Sequence, residues 1–267
     1  MPRELGRHSA TSMRLADKVA IVTGGDRGIG KAIALEMARQ GARVMIDCFR
    51  DAAPANALIE QIENFGGKAA TFVADVSKPH EVDALVAQTV RDFGGVDILV
   101  NNAGIEQKAP FLETPFEVYT KVIDVNLTGV WLCSQRAAKE MAQQKRGGRI
   151  INISSVHEDL TMPTNAPYCA SKGGVRMLMR TIAVELAPYG ITVNNVCPGA
   201  VDTPMDAALK DDKKEYTALI SEIPLRRMAK PEEIAELCIF LASEAAAYIT
   251  GSSYVIDGGM MQNSGSL

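Results

Sequence analysis

Tyr168 and Lys172 are the residues whose types and spacing point most directly to catalysis. They stand four positions apart at the start of a stretch that favours a helix, so their side chains share one helical face. A free tyrosine titrates near ~10, and a neighbouring ammonium stabilises the phenolate and lowers that value. Such a tyrosine takes a proton from an alcohol, or gives one to a carbonyl, near neutral pH. An isolated tyrosine–lysine pair on a helix is usually exposed to solvent and has no catalytic role, so its position in the fold decides whether it is functional.

Other polar residues stand where they could complete this chemistry. An apolar run over 149–153 predicts a strand and is followed by Ser154-Ser155, where a hydroxyl could hold the substrate oxygen beside the tyrosine. Asn126 lies within an otherwise apolar helix face, so its amide needs a partner. That partner is either nearby backbone or a proton-relay water behind Lys172.

A glycine-rich turn follows the first apolar run and opens the first helix. Its glycines are spaced Gly-x3-Gly-x-Gly, which differs from the general dinucleotide fingerprint. Glycines let the backbone turn sharply and approach a pyrophosphate, and the helix N-terminus presents unpaired N–H groups to it. We therefore predict a cofactor-binding loop that consists of Thr23, Gly24, Arg27, Gly28, Ile29 and Gly30.

Two more segments are predicted to line the same crevice. Asp75-Val76 follows the third apolar run, where an aspartate takes a hydrogen bond from the adenine amino group. The segment Asn102-Ala103-Gly104 ends the fourth run, at the carboxyl edge where open parallel sheets bind ligands.

The choice between NAD and NADP depends on the end of the second apolar run. Asp47 there would hold the ribose hydroxyls, whereas Arg50 would pair with a 2′-phosphate. Arg27 adds a positive group nearby. The sequence leaves both cofactors open and favours NADP, with Arg50 as a binding residue.

The elements that must position these residues alternate along the chain. Short apolar runs rich in β-branched residues predict strands at 19–22, 44–46, 70–73, 98–100, 149–153, 192–196 and 253–256, separated by segments of helical period. Continuous apolar strands of this kind indicate parallel strands covered on both faces. We predict a single α/β domain over 14–267, a doubly wound, Rossmann-type parallel sheet of seven strands with helices on both faces.

Three stretches have a less regular pattern. One long helix is predicted from about Pro115 to Gln143, with Gly129 as a bend or close packing point. The stretch 202–223 is polar and is predicted to be irregular. Residues 1–13 are predicted to be a disordered leader or an expression remnant, because they lack the apolar core of a signal peptide.

Composition limits the functional class. The net charge of −4 gives no support to binding nucleic acid or an anionic membrane, and no apolar run reaches the ~18 residues that span a bilayer. Five dispersed cysteines without a CxxC pair predict neither disulfides nor a metal site. We therefore expect reduced thiols and a cytoplasmic location.

These segments, in this order, resemble the short-chain dehydrogenase/reductase family from Leu15 to Met260. The resemblance implies an NAD(P)-dependent oxidoreductase that moves a hydride between nicotinamide and an alcohol or carbonyl carbon. It assigns acid/base chemistry to Tyr168, ribose binding and tuning of the tyrosine pKa to Lys172, substrate orientation to Ser155, and relay support to Asn126. Ser155 is preferred to Ser154 because the serine of this family usually lies thirteen positions before the tyrosine, as Ser155 does.

The resemblance also implies features beyond the catalytic group. Pro198, Gly199, Val201 and Thr203 match positions on the nicotinamide side of the cofactor. The family is typically a homotetramer built through its long helices, and 202–223 corresponds to its mobile substrate lid.

Within the family, several stretches look like the bacterial glucose 1-dehydrogenase branch, among them 154–158 and 170–174. By this likeness Glu106, Ser155 and His157 are predicted substrate residues, and a sugar, polyol or small ketone is the predicted substrate. The chain lacks the tyrosine–arginine pair that is common in that branch after the second strand, and an aromatic ring after His157-Glu158.

Two alternatives remain. A 3-oxoacyl-carrier-protein reductase would use a basic patch to meet its acidic carrier, and Lys210, Lys213, Lys214, Arg226 and Arg227 are candidates. A non-catalytic cofactor-binding sensor or scaffold is the second alternative. Such proteins commonly lose an acid/base residue, and this chain has them all.

Overall fold

The computed structural model describes residues 13–204 and 211–263. The leader predicted over residues 1–13 lies outside this range except for Met13, and residues 205–210 of the predicted lid also lie outside it. No helix among the described residues is long and apolar enough to cross a membrane.

Seven parallel strands form one sheet, in the order β3-β2-β1-β4-β5-β6-β7. The order reverses between β1 and β4, and this switch point is where doubly wound sheets bind ligands. The strands are β1 Val19–Val22, β2 Arg43–Cys48, β3 Lys68–Val73, β4 Ile98–Asn101, β5 Gly148–Ile153, β6 Ile191–Pro198 and β7 Ser253–Ile256. The predicted fold class is confirmed.

Helices connect the strands and cover both faces of the sheet. The described α-helices are α1 Gly28–Arg39, α2 Ala53–Glu63, α3 Pro79–Phe93, α4 Phe116–Ile123, α5 Gly129–Gln144, α6 Ala166–Leu186, α7 Lys213–Glu222 and α8 Pro231–Ala242. Alternate residues of β1 show the two-sided burial: Ala20 and Val22 join one core cluster, whereas Ile21 joins the other. Both faces are apolar for this reason, and the sequence reads as continuous apolar runs.

Two predicted segments differ from the structure. The single helix predicted from about Pro115 to Gln143 is divided into α4, a π-helical turn over Asp124–Thr128, and α5. A π-turn inserts an extra residue in the helical repeat, and such turns are frequent at functional sites. The stretch 202–223 contains α7, which begins where Asp212 caps the backbone N–H groups of Lys214 and Glu215.

Candidate active site

All strands are parallel, so their carboxyl ends lie at one edge of the sheet, and the predicted residues follow those ends. The glycine loop follows β1, Asp75 follows β3, and Asn102 follows β4. Ser155 follows β5, and Gly199 follows β6. The parallel topology therefore brings together segments that are far apart in the sequence.

The glycine loop has the geometry of an anion cradle. Gly24 and Gly28 have φ values of +58° and +52°, which favour glycine. A Cβ on Gly30 would lie 2.3 Å from the Gly24 carbonyl oxygen, so any side chain there would collide with the loop. The N-terminus of α1 has no side-chain cap and no acidic residue in its first turn. Its N–H groups are therefore suited to a pyrophosphate.

Thr23 and Asn102 hold this loop in place. The Asn102 Nδ2 donates to the carbonyl oxygens of Thr23 and Gly24, at 2.9 Å each. The Thr23 hydroxyl accepts from the backbone N–H groups of Asn102 and Ala103, at 3.0 Å each, and is 1% exposed. The side chains of Thr23 and Asn102 thus fix the shape of the cradle, and Ile29 packs against the core beneath it.

Asp47 is directed into the protein. It is 2% exposed, and its carboxylate accepts from the Gly24 N–H at 3.3 Å. Burial, with the nearby Asp26 and Asp75 charges, raises the pKa of Asp47 to about 7. Asp47 therefore stabilises the glycine loop from below and is not a surface group for a ribose.

The two predicted cationic residues at this end of the site are exposed. The Arg50 guanidinium lies 4.7 Å from the centre of the exposed Phe49 ring. The Arg27 side chain is 72% exposed, with Nε 3.4 Å from Asp26. Both can therefore turn toward an anionic group.

The remaining predicted cofactor residues lie around the same edge. Asp75 accepts from the Ser77 N–H and hydroxyl, and Val76 is buried against Gly129. Thr203 lies across the loop from Gly28, where a glycine Cβ would be 3.6 Å from it. Other contacts hold the nearby turns: Ala103 donates to Thr23, Gly104 lies beside Asn126, Pro198 ends β6, Gly199 packs on Asp257, and Val201 pairs with Ala229.

Tyr168 and Lys172 lie in the first turns of α6, on one face, as their spacing predicts. The Lys172 Nζ lies 5.5 Å from the centre of the Tyr168 ring. Lys172 is 6% exposed and donates to the Ile153 carbonyl oxygen at 2.9 Å. Burial lowers the pKa of Lys172 to about 8, while the nearby Cys197 and Glu158 side chains oppose this fall. A buried lysine is therefore held under the tyrosine ring, unlike a surface pair.

Asn126 lies in the π-helical turn and is fully buried. Its Oδ1 accepts from the Ile105 N–H at 2.8 Å, and its Nδ2 donates to the Ile105 carbonyl at 2.9 Å. The Nδ2 also lies 3.2 Å from the Ser171 hydroxyl, next to Lys172. Asn126 thus joins the segment after β4 to α6, which agrees with the backbone-bonded alternative.

The two serines after β5 have different partners. The Ser154 hydroxyl donates to Glu158 at 2.6 Å. The Ser155 hydroxyl accepts from the His157 N–H at 3.2 Å, so its own hydrogen can be given to a substrate oxygen. This contrast favours Ser155 for substrate orientation.

The predicted substrate residues Glu106 and His157 lie near Tyr168. The His157 ring meets the Tyr168 ring edge-on, with 6.3 Å between the centres. Glu106 accepts from the Asn165 Nδ2 at 3.2 Å, just before α6, and lies 3.6 Å from the Lys108 ammonium. The imidazole therefore lies beside the tyrosine ring, and the acid is held by the residue that precedes α6.

Sequence reasoning missed three polar residues that support this site. Asn165 is fully buried and holds Glu106, and Asn195 donates to Glu158 at 2.9 Å. Glu158 has a buried side chain, 2% exposed. The available signal was an acid and an asparagine close to apolar runs, since a buried polar group needs a partner.

Comparisons with known proteins agree with this geometry. The family model described as enoyl-(acyl carrier protein) reductase matches residues 24–261. A crystal structure of a short-chain type dehydrogenase/reductase from Mycobacterium marinum is 40% identical, with a TM-score of 0.88 over 93% of this chain and 97% of that one. The chain belongs to the short-chain dehydrogenase/reductase family. As a member, it is an NAD(P)-dependent oxidoreductase that acts on CH–OH groups.

Two curated relatives are similar over nearly their whole length. The 3beta-hydroxysteroid dehydrogenase 1 of Eggerthella lenta is 43% identical over 92% of this chain and 94% of its own. The L-rhamnose 1-dehydrogenase (NAD(P)(+)) of Azotobacter vinelandii is 42% identical over 94% of this chain and 99% of its own. These two dehydrogenases are named for different kinds of alcohol, so similarity alone leaves the substrate of this chain open.

Proposed function

We propose that this dehydrogenase acts on a hydroxyl-rich small molecule, a sugar or polyol or the related small ketone, in the manner of a glucose 1-dehydrogenase. The observation that carries the proposal is a polar rim of two residues: the His157 ring lies beside Tyr168, and Asn165, just before α6, holds the Glu106 carboxylate. A carboxylate and an imidazole can each hydrogen-bond a substrate hydroxyl. The L-rhamnose 1-dehydrogenase of Azotobacter vinelandii, at 42% identity, supports a sugar.

The catalytic residues divide the work between proton transfer and positioning. Tyr168 takes the proton of the substrate hydroxyl, and Ser155 donates a hydrogen bond to the same oxygen. The Lys172 ammonium favours the phenolate of Tyr168 and holds the cofactor ribose. Asn126 keeps the segment around Ile105 against α6 through its bonds to Ile105 and Ser171. When bound, the nicotinamide accepts or returns the hydride.

We propose NADP as the preferred cofactor, with NAD as the alternative. The α1 N-terminus and glycine loop would hold the pyrophosphate, and the Asp75 carboxylate would accept a hydrogen bond from the adenine amino group. The exposed Arg27 and Arg50 would bind the 2′-phosphate, because a guanidinium pairs well with phosphate. The buried position of Asp47 supports this preference, since it takes away the carboxylate that would repel the phosphate.

The nicotinamide end completes the proposed cofactor site. Pro198, Gly199, Val201 and Thr203 border it, and Thr203 lies close to Gly28 across the crevice. The segment 202–223 is the proposed substrate lid, with α7 as its helical part.

The two alternative functions have weaker support. For the carrier-protein reductase, Lys210 lies outside the described residues, and Arg227 is bound to Glu233 by two contacts of 2.7 Å. The pairing neutralises part of the expected basic patch. For a sensor or scaffold, the complete set of acid/base residues argues against loss of catalysis.

We also propose a cytoplasmic homotetramer assembled through α5 and α6. These helices border a largely apolar cavity of about 360 Å³, lined in part by Trp131, Ala138, Leu178, Ile182, Leu186 and Tyr189. Trp131 and Tyr189 are 44% and 55% exposed. Large exposed apolar groups of this kind are typical of surfaces that another subunit covers.

Turnover of a defined substrate panel with NAD and NADP tests the proposed function. The panel contains L-rhamnose, D-glucose, sorbitol, acetoin, a 3β-hydroxysteroid and a 3-oxoacyl thioester. We expect turnover of at least one sugar or polyol, with a higher kcat/KM than for the steroid or thioester. Turnover confined to the steroid or thioester would refute the sugar assignment, and no turnover at all would favour the scaffold.

The rim is tested by Glu106→Gln, with Glu113→Gln as the control because Glu113 is an exposed acid on the same segment. Loss of the Glu106 charge should raise KM for the sugar about tenfold, since a hydrogen bond to a charged group contributes ~1.5–3 kcal/mol. The control should leave KM unchanged. Equal KM values for both variants would show that Glu106 does not bind the substrate.

A further inference from the structure

Glu158 places a carboxylate in the interior, directly behind the catalytic helix. It ends a short 3-10 turn over Val156–Glu158, and its side chain is 2% exposed. Its Oε2 accepts from the Ser154 hydroxyl at 2.6 Å and from the Asn195 Nδ2 at 2.9 Å. The carboxylate is therefore fixed by the end of β5 and by β6.

A ladder of amides holds Asn195 in this position. Asn101, Asn152 and Asn195 are neighbours in register on β4, β5 and β6. Asn101 donates to Asn152 at 2.8 Å, and Asn152 donates to Asn195 at 2.9 Å. Each amide orients the next, so the ladder directs the Nδ2 amino group of Asn195 toward Glu158.

The second oxygen of Glu158 lacks a hydrogen bond among the described residues. This Oε1 forms an ion pair with the Arg176 Nε at 3.7 Å, but the distance is too long for a hydrogen bond, and both atoms are buried without a hydrogen-bond partner. The Arg176 guanidinium is shared with Asp159, which it contacts through Nη1. A buried carboxylate with incomplete pairing is costly, so a second cation nearby would stabilise it.

Lys172 is that second cation. It precedes Arg176 by one helical turn on α6, and its ammonium is bound to the carbonyl of Ile153, next to Ser154. Its Nζ lies 5.5 Å from the centre of the Tyr168 ring, and the side chains of Cys197 and Glu158 act on it electrostatically. Burial raises the pKa of Cys197 to about 12, so the thiol stays neutral near pH 8. The remaining acidic group is the Glu158 carboxylate, which lies 3.7 Å from the Arg176 guanidinium.

We propose that Glu158 is a positioning residue that keeps Lys172 charged and in place beneath Tyr168. The inference rests on the proposed role of Lys172 in holding the cofactor ribose. The Lys172 ammonium is close to losing its proton near neutral pH, because burial lowers its pKa to about 8. Loss of the Glu158 charge would leave a large part of Lys172 neutral at pH 7, and cofactor binding would weaken.

The test is the pH dependence of binding of reduced NADP and reduced NAD between pH 6 and 9. It is measured by cofactor fluorescence in a Tyr168→Phe background, where the phenol cannot titrate. In this background the affinity should fall as pH rises through the Lys172 transition. Glu158→Gln should move the midpoint of that fall downward by roughly one pH unit.

Three companion variants separate charge from structure. Glu158→Asp keeps the charge while shortening the side chain, so its midpoint should stay near that of the parent. Arg176→Gln removes a competing cation, so the midpoint should move upward. Glu244→Gln removes an exposed acid, 77% exposed, far along the chain, and should change nothing.

The outcomes distinguish this inference from the proposed function. If Lys172→Met leaves cofactor affinity unchanged at every pH, the ribose role of Lys172 is wrong. If Lys172→Met weakens binding but Glu158→Gln leaves the midpoint in place, or shifts it no more than Glu158→Asp does, the role of Glu158 is wrong. If Glu158→Gln does not fold, the upward shift in Arg176→Gln decides, and its absence overturns the inference.

Discussion

Replacing Lys172 with methionine should stabilise the cofactor-free protein at neutral pH. The side chain is buried, and burial lowers the pKa of Lys172 from 10.5 to about 8. At about 1.4 kcal/mol for each tenfold change in proton affinity, holding this ammonium charged costs the fold about 3 kcal/mol. The lost hydrogen bond to Ile153 offsets about 1 kcal/mol of the gain, because methionine cannot donate.

The effect should depend on pH with a defined sign. Between about pH 8 and 10.5 the unfolded chain binds the lysine proton and the folded chain does not, so stability of the parent protein rises with pH in that window. Below pH 8 the penalty is fully present. The advantage of Lys172→Met should therefore be largest near pH 7 and should shrink by about 3 kcal/mol as the pH approaches 10.5.

Urea unfolding of both proteins at a fixed protein concentration, from pH 7 to 10, measures this difference. Comparing the variant with the parent at each pH removes the contribution of groups that titrate in both. Cofactor must be absent, since binding to the folded state would add its own stabilisation. A stability difference that stays constant from pH 7 to 10 would refute the conclusion that burial strongly lowers the pKa of Lys172.

Four other substitutions have expected outcomes. Tyr168→Phe should retain cofactor affinity and lower kcat about 10²–10⁴-fold, because only the proton-transferring hydroxyl is removed; near-normal turnover with bound cofactor would contradict this role. Arg27→Ala and Arg50→Ala should each raise KM for NADP more than for NAD, which steady-state kinetics with both cofactors will measure. Asp47→Asn should stabilise the protein above about pH 7 and progressively less as pH falls toward 3.8, because the raised pKa of Asp47 penalises its charged form; urea unfolding at pH 5 and 8 checks the sign.

Local sequence patterns were sufficient to predict the architecture. The apolar run at 19–22 matches β1, because a strand buried on both faces must be continuously apolar. The run at 253–256 matches β7, which lies at the edge of the sheet and is only partly buried. Tyr168 and Lys172 are four residues apart in α6, so their side chains lie on the same face of the helix. The alternation of strand and helix then sends every loop of the candidate site to the same sheet edge.

Other parts of the site depend on contacts that no local pattern contains. Asp47 and Arg50 were both candidates for the cofactor, and only the packing of β2 under the glycine loop buries the one and leaves the other exposed. The helix around Asn126 was expected to continue through Gly129, yet it forms a π-turn whose asparagine binds Ile105 and Ser171. A helical period gives no indication of such an insertion, since the period alone does not include a partner from another element.

For Tyr168 and Lys172, too, the sequence determines one part of the arrangement and the tertiary structure determines the other. The sequence by itself determined that a tyrosine and a lysine share a helical face. Only the tertiary structure decided that the lysine is buried, bound to Ile153, and under the electrostatic influence of the buried Glu158 carboxylate. A pKa depends on burial and on neighbouring charges, and both arise when β5, β6 and α6 pack together.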